Sequence, residues 1–190
     1  MTLDEKEKKT EEYQNRYRFW TDKRISQLSF LNNFMLTIGI ALIAYIWTKE
    51  ISFYMTSTID WKITFLFITL ASSFLSVLSG FILAMSRLYD LRLTSNILLT
   101  RKRALKKDIE LNNVKNQKNN FWESLKILVD VIRNFEDYKI NSNDISNEKF
   151  KKLEASSNAI GSFTWKLLNI QVYTLAISII SLVCSSICAF

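Results

Sequence analysis

The fold of this chain is decided by residues 62–112, which read KITFLFITLASSFLSVLSGFILAMSRLYDLRLTSNILLTRKRALKKDIELN. The first part, residues 63–86, has no charge over 24 positions. At about 1.5 Å of rise per residue, a helix of this length crosses the roughly 30 Å hydrocarbon layer of a membrane. Because neither Pro nor a Gly pair follows, the stretch predicts one transmembrane helix that continues without a break to residue 112.

Two other charge-free runs, residues 25–48 and 167–190, have the same length of 24 residues. Together the three runs predict three transmembrane helices. The alternative is three buried helices of a soluble bundle, but such helices usually carry a charged stripe within 18 residues, and none of these runs does. With no Pro and only three Gly in the chain, we expect an all-α fold.

The charge pattern predicts how the chain is divided and oriented. We expect a cytosolic N-terminal helix (1–24), a first span (25–48), an outer loop (49–62), a second span (63–86), a cytosolic helical domain (87–166) and a third span (167–190). Residues 1–24, 49–62 and 87–166 hold seven, two and sixteen Lys and Arg. By the positive-inside rule, the N-terminus is then cytosolic and the C-terminus lies outside. Six acidic residues in 1–24 make it too acidic for a signal peptide, so the first span is expected to be retained.

Hydrophobic periodicity predicts a helical bundle in the cytosolic domain. One seam has alternating three- and four-residue spacing and should pack on partner helices; it comprises Leu88, Leu91, Leu98, Leu105 and Ile109. A short amphipathic helix follows, with an apolar face of Phe121, Trp122, Leu125, Leu128, Val129, Ile132 and Phe135. Asp144 or Ser146 is expected to cap a last long helix, whose packing face is Phe150, Leu153, Ser157, Ile160 and Trp165.

The chemistry of the sequence argues against an enzyme. The chain has no His, its carboxylates are scattered over charged helix faces, and no Gly-rich phosphate loop is present. The Ser residues of the spans have no base nearby. We therefore expect no catalytic residues, no metal site and no cofactor.

Small polar residues recur every four positions in two of the spans. They are Ser72, Ser76 and Gly80 in the second span, and Ser29, Asn33 and Thr37 in the first. Such stripes let helix backbones approach closely and bond across helices. They would also suit a water-filled path, which would need a homo-oligomer because three helices cannot enclose a pore. Both readings stay open from the sequence.

The only strong charge block follows the second span and has seven basic residues, Arg87, Arg92, Arg101, Lys102, Arg103, Lys106 and Lys107. One interpretation is that these residues fix topology and contact anionic lipid of the bilayer. The other is a site for an anionic nucleotide messenger or nucleic acid, since clustered Arg and Lys bind phosphates well.

The run Arg87-Leu88-Tyr89-Asp90-Leu91-Arg92-Leu93-Thr94 carries a family resemblance. Its second part, residues 90–94, is similar to an Asp-Phe-Arg-Leu-Thr stretch of small bacterial membrane proteins. With the long helical extensions, the chain resembles membrane effectors of the SLATT type. The resemblance implies a bacterial inner (plasma) membrane location and a role in anti-phage abortive infection. It also implies a nucleotide messenger or a cytosolic partner protein from the same operon.

Three function classes follow from these features. The polar stripes favour an oligomeric membrane channel or pore-forming effector triggered by a cytosolic signal. The cytosolic helices, with their balanced charge, suit a non-conducting membrane anchor or scaffold for a partner protein. A transporter subunit or regulator is the third class.

Overall fold

A computed structural model describes residues 3–48, 61–106, 109–112, 119–140 and 145–188. Within these ranges the chain is all-helical and has no strand, as the scarcity of Gly and Pro predicts. Four α-helices and one 3₁₀ turn make up the fold: α1 (Leu3–Thr48), α2 (Trp61–Lys106), α3 (Phe121–Arg133), the 3₁₀ turn (Phe135–Tyr138) and α4 (Asn147–Ile187). Most of the predicted outer loop lies outside the described residues.

Polar residues define the helix ends. The Ser146 hydroxyl accepts the Lys149 N–H at 3.3 Å, which confirms the predicted cap of α4; the alternative, residue 144, lies outside the described residues. The prediction that α2 runs to residue 112 is wrong, because the helix ends at Lys106. There the Ile109 N–H donates to the Ala104 carbonyl at 3.0 Å, a bond that closes a helix end and turns the chain away.

Antiparallel packing brings the apolar parts of α1, α2 and α4 together. In α1, Leu36 lies against Gly80 of α2, whereas Ile25 is bonded by Arg87 further along α2. The α2 and α4 helices, which form the largest interface, likewise run in opposite directions. As a result residues 25–48, 63–86 and 167–187 lie side by side at one end of the molecule. All three helices are long and apolar enough to cross a membrane.

Large apolar side chains are placed differently at the two ends of the molecule. At the apolar end, large apolar side chains are exposed on the outside; they include Phe30, Phe34, Ile40, Phe67, Phe74, Phe81, Val172, Ile179 and Ile180. At the other end, such residues form a buried core of Leu93, Ile97, Leu128, Val131, Phe150, Leu153, Ile160 and Phe163. An apolar exterior is typical of helices solvated by lipid, and an apolar core is typical of helices solvated by water.

The predicted packing face of α2 is wrong, and those of α3 and α4 are confirmed in part. Leu88, Leu91 and Leu98 are exposed, and the buried residues of this part of α2 are instead Leu93, Ile97, Thr100 and Ala104. Steps of seven residues from the buried Leu83 lead to the buried Ile97 and Ala104, so one face of α2 is buried at both ends of the helix. In α3 and α4, the predicted face residues Leu128, Phe150, Leu153, Ser157 and Ile160 are buried, which confirms these positions. The other predicted face residues Trp122, Val129, Ile132 and Trp165 are exposed.

Candidate functional site

A continuous line of polar side chains is buried between α2 and α4 at the apolar end. We call it the α2–α4 seam; it consists of Thr69, Ser73, Ser76, Ser79, Ser86, Thr164, Gln171, Ser178, Ser181 and Ser185. Each of these residues is under a tenth exposed. The interior of the apolar end therefore holds many polar side chains beside buried apolar ones such as Leu83 and Leu175, whereas its outer surface is apolar.

Hydroxyl hydrogen bonds join the two helices along the seam. The Ser73 and Ser178 hydroxyls are bonded to each other, and Ser178 also donates to the Thr69 carbonyl at 3.2 Å. At the end of the seam that is nearer to the other end of the molecule, the hydroxyl oxygens of Ser86 and Thr164 are 2.9 Å apart. Hydroxyls that bond across helices hold apolar helices together where no hydrophobic effect acts between them.

Gln171 is the exception in the seam. Its side chain is fully buried, and neither its amide nitrogen nor its amide oxygen has a hydrogen-bond partner. The amide lies against Gly80, and Ser76 donates to the Gln171 backbone carbonyl at 3.2 Å. A buried amide without a partner costs free energy, roughly 1–3 kcal/mol.

The segment 90–94, on which the family resemblance rests, forms a polar node with α4. Ser157 donates to the Asp90 carboxylate at 3.0 Å, and its hydroxyl lies 3.4 Å from that of Thr94. Leu93 is fully buried, and the Arg92 guanidinium lies over the Tyr89 ring, 5.4 Å from its centroid. The node lies between the polar seam at the apolar end and the buried apolar core at the other end of the molecule.

The predicted polar stripes take different positions. Ser76 and Gly80 belong to the buried interface, but Ser72 is half-buried and bonds only its own helix, at the Ile68 and Thr69 carbonyls. In α1, Ser29, Asn33 and Thr37 are exposed. The face that packs on α4 alternates steps of four and three residues. A step of four residues advances about 400° around the helix axis, so residues spaced only by fours gradually leave the face that packs on α4.

The predicted basic block does not form one cluster among the residues that can be described. Arg87 donates to Ser29 and to the Ile25 carbonyl of α1, each at 3.2 Å. Arg101 pairs with Glu154 at 2.7 Å, and Arg103 donates to the Ile140 carbonyl at 2.8 Å. The structure does not describe the side chains of Lys102 and Lys106, and Lys107 lies outside the described residues.

The α4 part of the seam was missed from the sequence, although a signal was present. Ser157, Thr164, Gln171, Ser178 and Ser185 follow one another at intervals of seven residues. This is the spacing of one packing face on long helices. A search for polar residues at heptad spacing, instead of steps of four, would have found it.

A cleft of about 1320 Å³ opens beside the node, between α1, α2 and α4. It spans the boundary between the two ends of the molecule. Apolar side chains line one part, including Ile25, Leu28, Leu31 and Leu168, and polar ones line the other, including Arg87, Asp90, Thr94, Asn158 and Lys166. Lys166 also donates to the Asn119 carbonyl at 2.7 Å, which fixes its ammonium group at the cleft.

Comparison with protein-family models, curated proteins and solved structures finds no match for this chain. The likeness to effectors of the SLATT type therefore rests on the segment 87–94 and on the helical organisation. Function has to be inferred from the seam, the node and the cleft themselves.

Proposed function

We propose that this protein is an integral membrane protein that assembles into a homo-oligomeric channel, with the α2–α4 seam supplying the polar wall of its conducting path. The observation that carries the proposal is the seam itself. Polar side chains line the interior of the apolar end from Ser185 to Ser86, and the Gln171 amide in their midst has no partner. Buried polar groups in membrane spans are expensive and usually functional.

The membrane location is supported by the three apolar helices and their apolar outer surface. We place the protein in the bacterial inner (plasma) membrane, because of the family resemblance. The Lys and Arg count orients it with the N-terminus in the cytosol and the C-terminus outside. The polar ends of the helices, with α3, then form the cytosolic domain.

In a single chain the seam is closed, so conduction requires that α2 and α4 separate. Six hydrogen bonds hold the seam. At about 0.6 kcal/mol for each such bond in a membrane, breaking these bonds costs on the order of 3–4 kcal/mol, and the lost packing of the two helices adds to this. A trigger must therefore bind the open arrangement at least a few hundred-fold more tightly than the closed one. In an oligomer, neighbouring copies would complete the wall.

The trigger we propose is a cytosolic signal that acts through the node. Asp90 and Thr94 reach α4 directly beyond the seam, so a shift of α4 there is transmitted along a continuous helix. By its resemblance, the protein would be a pore-forming effector of anti-phage abortive infection. Its signal would be a nucleotide messenger or a partner protein from the same operon.

Membrane depolarisation on phage challenge, in cells that also carry the neighbouring genes, tests the proposal. Gln171→Leu, combined with Ser76→Ala and Ser178→Ala, should abolish depolarisation while oligomer size is retained, because the wall loses its polar groups at nearly constant volume. Ser186→Ala is the matched control, since this exposed hydroxyl bonds only the Leu182 carbonyl of its own helix.

A second function, a non-conducting membrane anchor or scaffold, is favoured by one observation. The Ser73 hydroxyl is hydrogen-bonded to that of Ser178, and the Ser86 hydroxyl to that of Thr164, all within one chain. A purely structural interface requires such internal hydrogen bonds. If the wild type never depolarises cells under any challenge, the channel proposal fails. The seam then serves packing alone.

A further inference from the structure

We propose that the cleft between α1, α2 and α4 is a binding site for an anionic phospholipid, whose phosphate is held by Arg87 and Lys166. The inference rests on the proposed membrane location but not on conduction. It assigns a ligand to the cleft, where, among the described residues, Arg87 is the one member of the basic block that lines the site.

The two cations come from different helices and line the same cleft. Arg87 is on α2, and two of its donors hold Ser29 and the Ile25 carbonyl, which orients the guanidinium group. Lys166 is on α4, where one of its donors holds the Asn119 carbonyl. Both groups keep further N–H donors, and charge-assisted bonds from Arg and Lys are strong ligands for phosphate oxygens.

The shape and polarity of the cleft favour a lipid over a free phosphate. Leu28, Leu31 and Leu168 extend the cleft into the apolar end, where an acyl chain would lie. The exposed Trp165 lies at the same boundary, and Trp is enriched where membranes meet water. A soluble phosphate would leave this apolar part of the cleft unfilled.

The head group should also offer a hydroxyl donor. Asp90 is the only carboxylate among the described residues that line the cleft. It accepts from Ser157 through one oxygen, and its other oxygen can accept a donor from the ligand. Phosphatidylglycerol combines a phosphate with two hydroxyls and carries a net negative charge, so it fits these groups better than phosphatidylcholine does.

Native mass spectrometry of the purified full chain, with equal amounts of phosphatidylglycerol and phosphatidylcholine, tests the site. The wild type should retain phosphatidylglycerol in preference, and Arg87→Gln with Lys166→Gln should weaken its retention by about tenfold or more, the worth of one charge-assisted hydrogen bond or more. Arg133→Gln with Lys126→Gln is the matched control, because both side chains are exposed on α3 and line no part of the cleft. This pair should behave as wild type.

Two further variants separate binding from folding. Arg87→Lys with Lys166→Arg keeps both charges and should keep the preference. Ser162→Trp fills the cleft from an exposed position without a change of charge and should abolish it. Equal retention of both lipids by the wild type, or an unchanged preference in Ser162→Trp, overturns the proposal.

Competition with a soluble phosphate compound distinguishes a lipid phosphate from a free one. Glycerol 3-phosphate at millimolar concentration should not displace the lipid, because it lacks acyl chains for the apolar part. If it binds as tightly as the lipid does, the cleft is a site for a free phosphate, and the lipid proposal is wrong. Recovery of the chain in carbonate-washed membranes checks the membrane location separately, so a failure of lipid binding is not confused with a failure of insertion.

Discussion

The Gln171 amide occupies the space that a side chain at position 80 would need. A Cβ built on Gly80 would overlap the amide nitrogen of Gln171 and would come within 2.8 Å of Cδ2 of Leu36. Three helices therefore meet at one glycine, with α1 on one side and α4 on the other. Gly80 is required here for the close approach of its neighbours rather than for an unusual backbone conformation.

We expect Gly80→Ala to destabilise the protein by about 1–3 kcal/mol, because the buried amide and Leu36 must both move. Gly161→Ala is the control: a Cβ there would lie 3.7 Å from the Asp90 carboxylate, an ordinary contact. That variant should keep its stability or gain up to about 1 kcal/mol from helix propensity. Unfolding in a mild detergent measures both. Equal stabilities would mean that the three helices do not converge at Gly80.

The Ser86–Thr164 contact should couple α2 to α4 at the end of the seam. In a double-mutant cycle with Ser86→Ala and Thr164→Val, we expect a coupling energy of about 0.5–1 kcal/mol, typical of interhelical hydrogen bonds in membranes. Unfolding free energies of the four proteins give the value. The pair Ser72→Ala and Ser186→Ala should show none, since each hydroxyl bonds only its own helix. Additive effects at Ser86 and Thr164 would contradict the contact.

Arg101 has a structural partner, so its charge reversal is expected to change the packing of α2 against α4. It lies 2.7 Å from Glu154, whose side chain is only 11% exposed. We expect Arg101→Glu to cost about 1–3 kcal/mol, and the charge swap with Glu154→Arg to recover a large part of this. The exposed pair Lys139–Glu136 is the control, where Glu136→Gln should cost under about 1 kcal/mol. If the swap restores folding but not activation in cells, Arg101 itself contacts the trigger.

The contact between Asp130 and Tyr138 should make stability depend on pH at both extremes. Hydrogen bonds from the Tyr138 hydroxyl, at 2.6 Å, and from Asn134 lower the pKa of Asp130 from 3.8. Burial, with the bond to Asp130, raises the pKa of Tyr138 from 10.0 to about 12. The Asp130 contribution is thus complete above pH 3.8 and is lost as the pH falls through its lowered pKa. The Tyr138 contribution is complete below pH 10.0 and is lost as the pH rises through about 12.

Tyr138→Phe should reduce both pH dependences, since it removes the hydroxyl that links the two groups. Unfolding of this variant and of the wild type between neutral pH and pH 2, and again up to pH 12, measures the effect. Tyr173→Phe is a suitable control, because Tyr173 is exposed on α4. Parallel pH profiles for wild type and Tyr138→Phe would refute the role of the contact.

Topology can be tested at two exposed positions of α1. After Cys184 and Cys188 are replaced by Ala, Asn15→Cys should react with a membrane-impermeant thiol reagent only after lysis. Thr48→Cys, at the other end of the same helix, should react in intact cells. The reverse pattern would invert the proposed orientation, and labelling of both positions in intact cells would argue against a span.

The sequence alone identified the helical class and the three apolar segments, and it limited the cap of α4 to Asp144 or Ser146. These features depend on local properties: the length of a charge-free run, the absence of Pro, and a hydroxyl placed before the first turn of a helix. Such properties act within a few residues along the chain. They do not require knowledge of which helix lies next to which.

Only the tertiary structure decided which face of each helix is buried and which acceptor each basic side chain bonds. Leu98 and Ile97 are neighbours of similar hydrophobicity in α2, yet Leu98 is exposed and Ile97 is buried. Ile97 lies two steps of seven residues from the buried Leu83, on the same helix face, whereas Leu98 is rotated from that face by about 100°. Arg101 and Arg103 look alike in sequence, but each flexible side chain bonds the acceptor that folding brings within reach. Periodicity defines candidate faces, whereas the choice between them depends on the packing of other helices.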